Sequence, residues 1–463
     1  MICESINELK DNIVGVLAIR DGDVVILDEK TLRDTVIDTM VFSAVFSVDA
    51  DTIALARWLI RRCAAKLGAI PASIQGLYDA MGAQEVGGFT VPAVNIRTLT
   101  YDFSRAILET AREKNVGAVV FEIARSEIEY TKQSPDEYAV AILAGAIKAG
   151  FAGAIFLQGD HFQVSAKRYA QSASTELKEV KDLIWEALEA GFYNIDIDSS
   201  TLVDIGKDNL LEQQRENFTI AAELTLLVRD LEPEGICVSV GGEIGEVGGK
   251  NSTVAELQAF MDGYRKELDK HGTEIKGISK ISVQTGTSHG GVPMPDGSIA
   301  KVKLDFDTLR DLSLASISEY GLAGAVQHGA STLPEEAFDK FPACQTAEVH
   351  LATGFQNKIY DGGHLPREIK AKIYEYLKKE LASERKENDT EEQFIYKTRK
   401  KGFAPFKREL WCMDETLREG IRSDLKEQFS FLFEKLKVVG SYSLVEKYVR
   451  LVDVATMQPS AEK

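Results

Sequence analysis

From Thr90 to Leu351 short apolar runs alternate with longer stretches of helical period, and this alternation limits the folds open to the chain. The runs are Thr90–Ile96, Ala118–Ile123, Ala154–Leu157, Tyr193–Ile197, Ile236–Val240, Lys280–Val283, Ala323–Val326 and Glu348–Leu351. Between them lie Tyr101–Lys114, Pro135–Ala149, Thr175–Ala190, Leu211–Leu231, Val254–His271, Phe306–Glu319 and the short Pro334–Lys340, all of helical pattern. Eight strands alternating with helices predict an α/β protein built as a (β/α)8 TIM barrel. An open doubly wound sheet has the same alternation, because periodicity does not report closure. The absence of Gly-x-Gly-x-x-Gly after the first strand weighs against a dinucleotide-binding sheet.

The flanks read differently. Residues 1–88 suggest an α+β extension, with a hairpin of Val14–Leu17 and Val24–Leu27 around Asp21-Gly22-Asp23 and an amphipathic helix Thr52–Leu67 capped by Asp49 or Asp51. No chemistry is legible there. Residues 364–463 read as a helical extension: Pro366–Glu384, then Phe429–Val439 and Ser443–Val452, with Arg385–Glu392 as a polar linker. The expected division is therefore 1–88, 89–363 for the barrel, and 364–463.

Composition narrows the function classes. A formal net charge of −18 argues against nucleic acid as the main partner. No run reaches the ~20 apolar residues of a membrane span, and Val41–Val48 reads as core. The N-terminus shows no basic region followed by an apolar one, and the five cysteines form no Cys-x-x-Cys pair. Both features suit a reducing cytoplasm.

In a barrel the carboxyl ends of the strands face the substrate. Strand three ends in Asp160-His161, strand five runs into Gly241-Gly-Glu243-Ile-Gly-Glu246, strand six into His289-Gly290-Gly291, and strand seven into His328-Gly329-Ala-Ser331. Three of the chain's six histidines thus sit at one end of three strands. Convergent imidazoles are a metal-ligand set, and a carboxylate beside them can move protons. His271 and His364 read as ordinary surface residues. Gly290, Gly329, Ser331 and Thr353 lie in turns where backbone N–H groups and hydroxyls can meet an anion.

At these residues the sequence resembles the class II ketose-bisphosphate aldolases, over roughly Phe89 to Tyr360. The resemblance rests on Val91-Pro-Ala-Val-Asn95, Gly159-Asp-His161, Glu243-Ile-Gly-Glu-Val-Gly-Gly249, Thr287-Ser-His-Gly290 with Lys303-Leu-Asp-Phe-Asp307, and His328-Gly-Ala-Ser331. It implies a lyase that reversibly cleaves a ketose (bis)phosphate, fructose- or tagatose-1,6-bisphosphate, to dihydroxyacetone phosphate and an aldehyde. It also implies a homo-oligomer and a cofactor of zinc or another divalent ion, with a monovalent cation as a further candidate. By resemblance His161, His289 and His328 are the metal ligands, Asp160 the catalytic acid/base and Glu243 the acidic residue near the metal. Gly290, Gly329, Ser331 and Thr353 match phosphate positions, and Asn95 lies near the substrate. Glu246 and His350 are the candidates for a second proton transfer, and Arg125 and Lys250 for a second phosphate.

The pattern is broken in places. Lys250-Asn251 replaces an acidic pair, Ala124-Arg125 stands where a serine often ends the second strand, and the usual Asn-x-Asp-Thr of the eighth strand reads His350-Leu-Ala352-Thr353. The stretch Glu122–Glu129 also resembles the non-catalytic partner subunit of tagatose-bisphosphate aldolase. That subunit, and a metal-dependent epimerase or free-sugar aldolase, are the alternatives.

Overall fold

The computed structural model describes residues 1–245, 250–286 and 304–459. Eight parallel strands form the barrel: β1 Val91–Asn95, β2 Val120–Ala124, β3 Gly153–Gln163, β4 Asn194–Asp198, β5 Ser239–Glu243, β6 Lys280–Val283, β7 Ala325–Gln327 and β8 Glu348–Leu351. β8 pairs with β1, and β3 pairs with both β2 and β4, so the sheet closes. Closure decides against the open sheet. A ninth strand, Ala69–Pro71, adds to the outer start of β3.

Local sequence explains several boundaries. The helix Pro135–Ala149 starts where Ser134 accepts from the Glu137 N–H, with proline in its first turn, and stops at Gly150 in the left-handed region. A cap of this kind contributes about 1 kcal/mol. Asp49, not Asp51, caps the helix Ala50–Lys66. The hairpin is present as Leu17–Arg20 against Asp23–Ile26, its first strand later than periodicity suggested. β5 also lies later than expected and takes in Gly241, Gly242 and Glu243. β2 ends at Ala124, and Arg125–Thr131 is a helix, held at its start by the Ala124 N–H donating to Glu127 Oε2 at 3.0 Å.

The flanks pack on the barrel. The helix Glu415–Lys435 buries Phe429 against Phe355 at 4.9 Å between ring centroids, and the Thr90 N–H donates to the Leu436 carbonyl at 2.9 Å. Among the described residues no helix is long and apolar enough to cross a membrane.

The barrel interior is polar where such interiors usually hold branched apolar side chains. Lys280 of β6, 1% exposed, donates through Nζ to Gln158 Oε1 at 2.8 Å and pairs with Asp196 Oδ2 at 3.0 Å and with Glu348. Tyr78, from before the barrel, donates its hydroxyl to Glu348 Oε2. Gly241 makes room for this network, since a Cβ there would lie 2.2 Å from Asp196 Oδ1. Removing one partner of such a buried pair costs about 3–5 kcal/mol, because the other charge is stranded.

Candidate active site

A pocket of about 430 Å³ opens at the carboxyl ends of the strands. Its floor is built by β3. Between Gly159 and Phe162 the register against β4 shifts, a β-bulge, and His161 takes φ +41, in the left-handed region. A non-glycine residue held there costs about 1–2 kcal/mol. The bulge turns the His161 ring so that Asp160 and His161, neighbours in sequence, both line the pocket.

Asp160 Oδ1 is the hub. It lies 3.8 Å from His161 Nε2, 3.4 Å from His328 Nε2 and 3.2 Å from His350 Nδ1. The His328 ring lies between the other two, with centroids 4.1 Å away on each side, tilted against His161 and edge-on to His350. Behind His161, Nδ1 faces Asp198 Oδ2 at 3.1 Å and Glu243 Oε2 at 3.0 Å. Carboxylates on the far nitrogen fix a ring's orientation and leave Nε2 as the ligating atom, an arrangement typical of metal-bound histidine. Behind His350, Nε2 faces Glu348 Oε1 at 2.6 Å, and Nδ1 faces Glu122 Oε2 at 3.0 Å.

The charges follow from this packing. Burial opposes the charge on Asp160, yet His161 and His350 beside it hold its carboxyl well below the usual range. Burial likewise works against protonated His161 and His350; Asp160 with Glu243 for the first, and Glu122 with Asp160 for the second, outweigh it and raise both. His328 is pushed well below the usual range by burial and by its two imidazole neighbours. A neutral imidazole is the ligand form. Glu122 is pushed up to about 8 by burial and by Asp160.

Asp160, His161 and His328 bring ligand atoms within 4.8 Å of one another, as do His161, Asp198 and Glu243. Asp160 Oδ1 is buried and faces all three imidazoles. The donor set fits a divalent ion: imidazole nitrogen and carboxylate oxygen, backed by further carboxylates.

Of the residues expected at the site, Asp160, His161, Glu243, His328, Gly329, Ser331, Thr353 and Asn95 stand at this end of the barrel. His289, Gly290 and Glu246 lie outside the described residues. Gly329, at φ +69, leads into a 3-10 turn. Ser331 Oγ accepts from the Gly354 N–H at 3.0 Å and so ties that turn to the start of the helix Thr353–Asp361. Arg125 lines the pocket, but buried Glu176 and exposed Glu179 engage its guanidinium. Lys250 is exposed.

Sequence reasoning missed four residues. Asp198 orients His161; its signal was the Asp196-Ile-Asp198 alternation at a strand end. Glu122 sits on β2, its Oε2 3.0 Å from His350 Nδ1. Arg97 reaches Thr353 Oγ1 at 3.4 Å and Gln356 Oε1 at 2.9 Å, and pairs with Glu127 at 2.8 Å. Lys400, beyond the expected barrel boundary, lines the same pocket with its ammonium 5.2 Å above the Tyr130 ring. Among the described residues no carboxylate pairs with Lys400.

A closed barrel whose imidazoles and carboxylates meet at the strands' carboxyl ends defines a (β/α)8 protein with a candidate metal centre. A family model for class II fructose-bisphosphate aldolase matches residues 77–402, a span that includes both Tyr78 and Lys400. The chain belongs to the class II fructose-bisphosphate aldolase family. That family is metal-dependent, and the buried His, Asp and Glu groups of this chain can hold an ion. No curated protein matches the chain. Similar solved structures include a probable tagatose 6 phosphate kinase from Sinorhizobium meliloti, with TM-score 0.51 and 15% identity over 80% of this chain and 95% of that one. A fructose-bisphosphate aldolase from Campylobacter jejuni has TM-score 0.48 and 18% identity over 81% and 96%. The YdjI aldolase from Escherichia coli K12 has TM-score 0.42 and 15% identity over 81% and 98%.

Proposed function

We propose that this protein is a divalent-metal-dependent aldolase that cleaves a ketose phosphate to dihydroxyacetone phosphate and an aldehyde. Fructose- or tagatose-1,6-bisphosphate is the expected substrate, and zinc the expected ion. The observation that carries this reading is Asp160 Oδ1 among three imidazole nitrogens, in a pocket that also holds Arg97, Lys400, Ser331 and Thr353.

His161 and His328 would hold the ion, with His289 as the third imidazole expected from the family pattern. When bound, a divalent ion supplies Lewis-acid polarisation of the ketose carbonyl. Asp198 and Glu243 keep the His161 ring in one orientation throughout. Asp160, ionised at neutral pH, takes the proton of the C4 hydroxyl as the carbon–carbon bond breaks and returns it in condensation. His350, which lines the pocket, supplies the proton that the carbon left behind needs before dihydroxyacetone phosphate leaves, and takes it back in condensation. Arg97 and Lys400 supply positive charge for the phosphate in a chain whose overall field repels anions. The Ser331 and Thr353 hydroxyls and the first N–H groups of the helix Thr353–Asp361 complete its donors.

The test is release of dihydroxyacetone phosphate from a panel of ketose phosphates and free ketoses, with and without chelation. Release from a ketose bisphosphate, lost on chelation and restored by a divalent ion, supports the reading. Interconversion of two ketoses with no cleavage would make the protein an epimerase instead.

A further inference from the structure

Asp196 of β4, Lys280 of β6 and Glu348 of β8 come from alternate strands and meet inside the barrel, as the side chains of one interior layer do. Such layers are usually apolar, and buried charges are costly unless paired. Three of them in one layer call for a role beyond packing. Glu348 is fully buried and lies beneath the pocket, not in its wall. It does touch a residue of that wall, His350.

His350 stands two residues after Glu348 on β8, so strand alternation turns both side chains to the inner face. The His350 ring therefore has two sides. Nδ1 faces Glu122 Oε2 at 3.0 Å and Asp160 Oδ1 at 3.2 Å, and both of those residues line the pocket. Nε2 faces inward, to Glu348 Oε1 at 2.6 Å. Glu348 is held in turn by three other donors. Lys280 Nζ pairs with Oε1, Gln158 Nε2 donates to Oε1 at 2.8 Å, and the Tyr78 hydroxyl donates to Oε2. Lys280 also donates to Gln158 Oε1 at 2.8 Å, which ties two of these braces together. A carboxylate fixed in this way fixes the ring it meets and decides which ring nitrogen keeps its proton.

We propose that Glu348, braced by Lys280, Gln158 and Tyr78, is a positioning residue of the reaction: it accepts the Nε2–H of His350 and leaves Nδ1 as the nitrogen that exchanges a proton with the substrate carbon. The proposal rests on the aldolase reading. In cleavage the electron pair of the broken carbon–carbon bond stays on the dihydroxyacetone phosphate fragment. The Nδ1–H bond then breaks, a C–H bond forms, and the ring is left neutral with its proton on Nε2. Condensation reverses the transfer. Glu348 touches no substrate, and it serves this step and not the carbon–carbon cleavage that Asp160 assists.

Glu348→Gln tests this, since it keeps the shape but lets an amide turn its NH2 toward Nε2, while Lys280 retains Asp196. The full-length, metal-loaded protein is assayed in two ways. One is exchange of the carbon-bound hydrogen of dihydroxyacetone phosphate with deuterated solvent. The other is consumption of fructose- or tagatose-1,6-bisphosphate, whichever the wild type cleaves, with hexacyanoferrate(III) present to oxidise the carbanion before it is protonated. Glu348→Gln should lower exchange by about 10²–10⁴-fold, the contribution of a positioned acid–base group, with oxidant-coupled consumption near wild type. In a His350→Asn background the same substitution should lower exchange no further, because Glu348 acts through that ring. Equal losses in the two assays would make Glu348 merely structural, and additive losses in the double variant would place its action elsewhere; either overturns the proposal. Tyr78→Phe removes one brace, keeps the carboxylate and decides the matter should Glu348→Gln not fold. It should lower exchange about 2- to 10-fold with oxidant-coupled consumption held, and unchanged exchange overturns the proposal. A wild type that neither cleaves a ketose phosphate nor exchanges overturns the aldolase reading itself, and this proposal with it.

Discussion

Lys400→Met gives the most discriminating test of how the pocket takes an anion. Lys400 lines the pocket, is half-buried, and has no carboxylate partner among the described residues. Burial first, and Arg97 second, hold its ammonium below the usual lysine range. Methionine keeps the length and apolar stem but removes the charge, and no carboxylate is stranded. The folded state therefore loses a disfavoured charge, and the melting temperature should hold or rise slightly. A hydrogen bond to a charged group contributes about 1.5–3 kcal/mol. At 1.4 kcal/mol per tenfold, loss of the ammonium should weaken dihydroxyacetone phosphate by about 10- to 100-fold. Arg97→Met is a poorer probe, since it strands buried Glu127 and mixes stability with binding. Isothermal titration of metal-loaded wild type and variant, with dihydroxyacetone as the uncharged control, provides the assay. Unchanged phosphate affinity in a folded variant, or equal losses for both ketones, would refute the reasoning.

Three further outcomes are expected. Asp160→Asn should lower turnover by about 10²–10⁴-fold, the usual contribution of a positioned acid–base group, with dihydroxyacetone phosphate still bound; unchanged steady-state turnover would move the proton elsewhere. Asp198→Asn should weaken metal binding by about 10- to 100-fold, because it loosens the His161 ring, and competition with a chelating dye measures this. The metal-free protein should lose stability as pH rises. Glu122 has its folded pKa raised to about 8, so its contribution is present below the ordinary carboxylate range and is lost as pH rises through about 8. Urea unfolding of chelated wild type at pH 5 and pH 8.5 should show a fall that Glu122→Gln reduces, and an equal fall in both would assign the effect to other groups.

Much of the frame was legible in the sequence because local signals agreed with it. Lys280–Val283 and Glu348–Leu351 are strands with the boundaries their patterns suggest, and Ser134 with Gly150 brackets a helix. What periodicity lacks is closure and depth. Lys280 in a strand reads as a solvated edge residue, and only the closed barrel makes it the buried partner of Asp196 and Glu348. Tyr78, in a segment without legible chemistry, reaches Glu348 because the helix Gln75–Gly82 packs beneath the strands. Lys400 sits in a Lys-Lys-Gly run that reads as surface. The 3-10 turn Arg399–Gly402 brings it to the pocket instead. The first half of Glu415–Lys435 was missed for a similar reason, since its charges partner the barrel: Arg422 pairs with buried Asp102. His350 was visible as an exception to a family pattern, but its place between Glu122, Asp160 and Glu348 needed three strands in register.

The central claim is that this site forms and quenches a carbanion beside the carbonyl of dihydroxyacetone phosphate. Exchange of the carbon-bound hydrogen of dihydroxyacetone phosphate with deuterated solvent, followed by NMR, measures that step whatever the aldehyde partner is. The account predicts exchange by the metal-loaded protein, lost on chelation and restored by divalent ion, with no exchange into unphosphorylated dihydroxyacetone. No exchange above solvent background, in folded protein carrying its ion, would contradict it.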